Sequence, residues 1–174
     1  VSAKTPLHVN FKYRAFIRNK DSLKLLKKAI QNARSHGLKV IHYSLETNHV
    51  HLILEVASNA ILTKGMRSLT VTMAKGLGLG RVQVERYHLH VLRSLREVKH
   101  AIHYVLFNKQ RHEKRKYSTI DQYSSLLLME NALELIRKFA QDKKVTLKIE
   151  KGEAFFLDKE ESFLAKRGWS QLFC

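Results

Sequence analysis

The order of apolar patterns along the chain predicts an α+β fold: a ferredoxin-like antiparallel sheet with two helices on one face and an extra helix beyond them. Three observations carry that prediction. Period-two and helical patterns alternate in the order β-α-β-β-α-β-α, 44% of the 174 residues are hydrophobic, and only one Pro and seven Gly interrupt them. In residues 7–18 Val9, Phe11, Tyr13, Ala15 and Ile17 alternate with Asn10, Lys12, Arg14, Phe16 and Arg18, so a strand buries the first set and shows a basic second face. From Asp21 to His36, Leu23, Leu26, Ile30 and Ala33 recur at helical spacing and Gly37 marks the stop. Residues 38–46 and 48–56 read as a tight hairpin turning at Thr47 and Asn48. A second helix is predicted from Ala60 to Lys75, capped by Asn59. Gly76–Gly80 lacks the spacing of either phosphate-binding glycine fingerprint and follows a helix rather than a strand, so it reads as a connector. A fourth strand is expected over Arg81–Arg93. Ser94 and Glu97 then form a capping box that opens a third helix reaching about Gln110. Past a turn at Tyr123–Ser125, a helical pattern covers Leu126–Gln141 and leads into a mixed tail.

Charge divides the chain. Residues 1–119 hold 23 of the 32 basic and 6 of the 15 acidic side chains, whereas residues 120–174 hold 9 of each. The expected organisation is therefore a basic domain over 1–119 with a neutral, partly helical extension over 120–174. A net charge of +17 confined to the first part points to a polyanion, with nucleic acid ahead of a ribosome-like or anionic-surface partner. The lone Cys174 excludes a disulfide scaffold and a cysteine-based zinc module. No run approaches the roughly 18 consecutive apolar residues of a membrane span. The expectation is a cytoplasmic protein with no membrane partner.

The stretch Asn48-His49-Val50-His51-Leu52-Ile53-Leu54-Glu55-Val56 carries the first chemical signal. On a strand Val50, Leu52, Leu54 and Val56 share the core face, and His49 and His51 project together from the other. Two such imidazoles can hold a divalent cation with positions left open for a phosphate oxygen, or can be two solvated rings. His88 and His90 form a second pair of the same kind, with a shorter core signature behind it. On the third helix, Glu97, His100, Asn108 and Arg111 fall on the side of Tyr104, opposite Val98, Ile102, Val105 and Leu106. A phenol there can serve as a phosphoryl acceptor; from the helix alone it reads as an interfacial tyrosine with a wetted hydroxyl.

Taken together, Asn48-His49-Val50-His51 before an apolar strand, Arg86-Tyr87-His88 on a later strand and Tyr104-Val-Leu-Phe-Asn108 on a helix resemble the single-tyrosine HUH transposases of the IS200/IS605 class, most of all the REP-associated tyrosine transposases. The likeness spans roughly residues 7–116. It implies a nuclease and strand transferase for single-stranded, hairpin-bearing DNA. By that resemblance His49, His51 and Asn108 would hold Mg²⁺ or Mn²⁺, and Tyr104 would form a 5′-phosphotyrosine link. Asn108 follows the REP-associated branch, since the insertion-sequence enzymes commonly have Gln there; the next residue, Lys109, departs from the Pro that branch often carries. Relatives of the two kinds work as monomers or as homodimers.

The basic residues fit this reading. Lys12, Arg14 and Arg18 oppose the core face of the first strand as His49 and His51 do on theirs. Arg86 and His88 lie on the fourth strand, and Lys109, Arg111, Lys114, Arg115 and Lys116 form a run suited to gripping a phosphate backbone. Phe16 is placed to stack on an unpaired base or to be covered by the extra helix. The leading expectation is a metal-dependent transposase. The alternatives are a catalytically silent DNA- or RNA-hairpin binder of the same ancestry, and a replication-initiator or relaxase nuclease, for which the chain lacks a Walker motif.

Overall fold

The protein is described from a computed structural model, over residues 5–79, 85–109, 117–119, 121–129, 132–143 and 146–148. Its elements follow the expected order: β1 (Leu7–Lys12), α1 (Lys20–Arg34), β2 (Lys39–Leu45), β3 (His49–Glu55), α2 (Asn59–Gly76), β4 (His88–Val91) and α3 (Leu95–Leu106). The four strands form one sheet in the order β2-β3-β1-β4, and every neighbouring pair is antiparallel. This is the ferredoxin-like arrangement, with the crossovers α1 and α2 returning the chain across one face.

Alternation along the strands decides which face each helix covers. Val9, Phe11 and Tyr13 of the first strand, Val50, Leu52 and Leu54 of β3, and Leu26, Ile30, Leu62, Met66 and Leu69 of α1 and α2 are buried in one apolar cluster. Gly65 lets α2 come close to Leu38, just before β2, because a Cβ there would stand 2.5 Å from Leu38 Cβ. α1 stops where expected: Gly37 takes φ 82, a conformation open to glycine, and its N–H donates to Arg34 O at 2.8 Å.

A second cluster lies on the opposite face, where Ile41 and Ile53 of the sheet meet Val98, Ile102, Val105 and Leu106 of α3. A bulge between Val40 and His42 turns both Ile41 and His42 toward α3. The extension adds Leu126, Ala132, Leu135 and Ile136 to this cluster. They come from a 3₁₀ turn (Ser125–Leu128) and from α4 (Ala132–Lys143). Short strands β5 (Tyr117–Thr119) and β6 (Thr146–Lys148) pair in parallel as a separate small sheet, which no sequence pattern announced.

Several boundaries differ from expectation. Ser58, not Asn59, caps α2, since its hydroxyl accepts from Ile61 N at 3.3 Å. Strand β1 ends at Lys12, although the burial alternation continues through Tyr13 and Ile17 because Tyr13 N and Ile17 N donate to Asn48 O and Thr47 O. Strand β4 is confined to His88–Val91; residues 81–84 of the expected strand lie outside the described residues. The expected helix over 126–141 is split into the 3₁₀ turn and α4. Among the described residues no helix is long and apolar enough to cross a membrane.

Candidate active site

In an antiparallel sheet directly paired residues share a face, so register fixes what the sheet presents to α3. One row across the sheet is His42, Ile53, His8 and His90; the next is Ser44, His51, Asn10 and His88; the third sets His49 beside Lys12. The helix α3 packs over β2 and β3 through its apolar stripe and so covers only part of this face. That packing turns Tyr104 toward the histidines. Its ring centroid lies 5.3 Å from that of His51 at an interplanar angle of 84°, and 6.1 Å from that of His8 at 61°.

His49 and His51 project together, as the strand period requires, with ring centroids 4.8 Å apart. His49 Nδ1 lies 3.1 Å from Asn48 Oδ1. A carboxamide oxygen only accepts, so Nδ1 carries the proton and Nε2 the lone pair. His51 Nδ1 lies 3.1 Å from His8 Nε2, while His51 Nε2 is buried with no hydrogen-bond partner among the described residues. Asn108 Oδ1 is likewise buried and unpartnered. Burial lowers the pKa of His51 to about 3, helped by His8 and His49, and burial together with His90 lowers that of His8 to about 4. Both rings are neutral at pH 7, the form in which imidazole donates to a metal. Among the described residues no three His, Cys, Asp or Glu side chains converge on one point. Two adjacent imidazoles, with His51 Nε2 left unsatisfied among the described residues, fit a divalent cation that keeps several positions for water or phosphate oxygens.

Asn108 is placed differently from the helical-wheel expectation. Helix α3 ends at Leu106, where the buried Phe107 takes φ −115 and ψ 24 and breaks the helical path, which Asn108 and Lys109 then resume; Gln110 lies outside the described residues. Asn108 is therefore 2% exposed rather than on a solvent face. The start of α3 is as expected, with Glu97 N donating to Ser94 Oγ at 3.2 Å and the Glu97 carboxylate accepting from Arg93 N at 2.7 Å.

The expected cations divide into two groups. Lys12, Arg14, Arg86 and His88 are exposed, and Glu85 N donates to Lys12 O, which brings the 85–87 segment beside the Lys12 end of the open face. Lys109 is half-buried; Arg111, Lys114, Arg115 and Lys116 lie outside the described residues. Arg18 is used inside the protein. Its guanidinium donates to Leu45 O and pairs with Glu46 and Asp121, and it lies 4.8 Å over the Tyr123 ring. Phe16 is 66% exposed and is not covered by α3. His88 and His90 sit exposed on the edge strand β4, where His90 Nε2 is 3.9 Å from Glu97 Oε2. Sequence reasoning missed His8. Its signal was parity with Asn10 and Lys12, but its nearness to His51 depends on a strand pairing that no local pattern reports.

His42 gives the site a pH signature. It is wholly buried, its Nδ1 is 3.5 Å from Ser125 Oγ, and burial lowers its pKa to about 3. The unfolded chain protonates this imidazole below about pH 6.5 and the folded chain does not, so its contribution is complete above that pH and shrinks as pH falls. Between pH 6.5 and 5 this one group is expected to remove about 2 kcal/mol of stability. His51 and His8 act with the same sign. Urea unfolding in EDTA at pH 7.5 and 5 checks this: the midpoint falls in the wild type and falls less in His42→Leu. A midpoint equal at both pH values contradicts it.

The family model described as "Transposase IS200 like" matches residues 3–87, a span that contains His49 and His51 and stops before Tyr104. No curated protein matches the sequence. Among solved structures, "Structure of the REP associates tyrosine transposase bound to a REP hairpin" is similar, with a TM-score of 0.61 and 15% identity over 91% of this chain and 94% of that one. At that identity the likeness is one of fold. The IS200-like transposase pattern is thus carried by residues 3–87, just under half of the chain, and the fold is similar to that of the solved transposase.

Proposed function

We propose that the chain is a metal-dependent, single-stranded DNA transposase that cuts and rejoins hairpin-bearing DNA through a 5′-phosphotyrosine link at Tyr104. The observation that carries this reading is the meeting of Tyr104 with His51 of the same chain, 5.3 Å between ring centroids. The Tyr104 oxygen forms a bond to the scissile phosphorus, the bond from phosphorus to the 3′ oxygen breaks, and the phenol proton is lost as the 3′ oxygen gains one. One phosphoester replaces another, so a 3′-hydroxyl from a second strand can reverse the step without ATP. His49, His51 and Asn108 would hold Mg²⁺ or Mn²⁺, whose chemistry here is to polarise the scissile phosphate and offset the charge that gathers on its oxygens.

The chain's own residues supply the rest. Lys12, Arg14, Arg86 and His88 attract and orient the DNA backbone, with Lys109 and the run Arg111, Lys114, Arg115 and Lys116 extending that grip. Because Tyr104 and the histidine pair come from one chain, a monomer suffices. Residues 1–119 form the catalytic domain and 120–174 an extension, of which Leu126, Ala132, Leu135 and Ile136 pack against α3. The hairpin of the similar solved complex supports a hairpin as the substrate.

Labelled hairpin DNA with a single-stranded flank, incubated with Mn²⁺ or with EDTA, tests the reading. Cleavage is expected with Mn²⁺ and is expected to fall to background with EDTA or in His51→Ala, while hairpin binding persists in EDTA. Tight binding with uncut DNA in Mn²⁺ would instead identify a catalytically silent hairpin binder.

A further inference from the structure

We infer that His8 is a positioning residue that holds His51 in the tautomer able to bind a metal. The inference rests on the metal role proposed above for His51. His8 lies on β1, one row from His51 along the open face, and its Nε2 approaches His51 Nδ1 to 3.1 Å with the two rings stacked at a centroid distance of 5.3 Å. Two neutral imidazoles can share that contact in only two ways. If His8 donates, His51 is left with a proton on Nε2, a buried N–H that meets no acceptor among the described residues, and no lone pair remains there for a cation. If His51 donates from Nδ1, its lone pair falls on Nε2.

The second arrangement matches what Asn48 does for His49, where the amide oxygen leaves no choice. The two imidazoles of the pair are thus each oriented through Nδ1, one by a carboxamide and the other by a third histidine. Outer partners of this kind fix ring orientation and raise donor basicity, and their loss lowers metal affinity by about 10–100-fold.

His8 also faces Tyr104, with centroids 6.1 Å apart, so two variants separate its effects. His8→Phe keeps an aromatic ring against Tyr104 and removes the acceptor; His8→Gln keeps an acceptor oxygen and removes the ring. Mn²⁺ affinity measured by calorimetry is expected to fall about 10–100-fold in His8→Phe and to stay near wild type in His8→Gln, with metal-free hairpin binding unchanged in both. In the metal-free wild type, imidazole ¹⁵N shifts are expected to show His51 protonated at Nδ1, and in His8→Phe to show that preference lost. Wild-type affinity in His8→Phe, or a wild-type His51 protonated at Nε2, would overturn the assignment. A wild type that binds no Mn²⁺ while His51 is protonated at Nδ1 would overturn the metal reading and leave the His8 to His51 contact standing.

Discussion

Tyr104→Phe is expected to lower DNA cleavage by about four orders of magnitude or more and to abolish the covalent protein–DNA species. Hairpin binding should persist, because the substitution removes one oxygen and keeps the ring that packs against His51 and His8. The apolar stripe of α3, from Val98 to Leu106, is untouched, so the fold is expected to survive with an unchanged unfolding midpoint. Denaturing gels after incubation with hairpin DNA and Mn²⁺ read cleavage and adduct together. The result matters because the family match ends at residue 87, and the role of Tyr104 rests on the packing of α3 and on the resemblance of the Tyr104–Asn108 motif.

Arg18→Ala is expected to destabilise the protein by about 3–5 kcal/mol, the range for removing one partner of a buried ion pair. Asp121 is almost wholly buried; burial pushes its carboxyl up and Arg18 opposes that shift. Without the guanidinium, Asp121 and Glu46 lose their shared cation and Leu45 O loses a donor. The damage extends to the site. The segment that begins at Asp121 accepts from Leu45 N through Tyr123 O at 2.9 Å, and Ser124 Oγ donates to Leu106 O at 3.3 Å, where α3 ends. Arg18 therefore ties the sheet to the strap that holds the C-terminus of the Tyr104 helix. Urea unfolding measures the loss, and Asp121→Asn in the Arg18→Ala background should recover part of it by removing the stranded charge. An unchanged midpoint with a weakened hairpin affinity would instead make Arg18 a DNA contact.

Much of this architecture was legible because it is local. Val9, Phe11 and Tyr13 announce a half-buried strand, Leu26, Ile30 and Ala33 a helical stripe, Gly37 a stop and Ser94 with Glu97 a start, and each acts over a few residues. The projection of His49 and His51 to one side follows from strand geometry, and the side of α3 that carries Tyr104 follows from helix geometry. What the sequence hid is long-range. Arg18 meets Asp121 across 103 positions, so a cation in a basic alternation looks like any other until the chain closes on it. His8 meets His51 through a strand register across 43 positions. The break in α3 at the buried Phe107 is a tertiary effect that interrupts the helical pattern for one residue before Asn108 and Lys109 turn helical again.

The measurement that bears most directly on the account is mass-spectrometric mapping of the modified residue after incubation of the whole chain with hairpin DNA and Mn²⁺. The account predicts a peptide in which Tyr104 carries the 5′-phosphate of the cleaved strand. A nucleotide attached to any other residue, or bound hairpin left uncut and unattached, would contradict it.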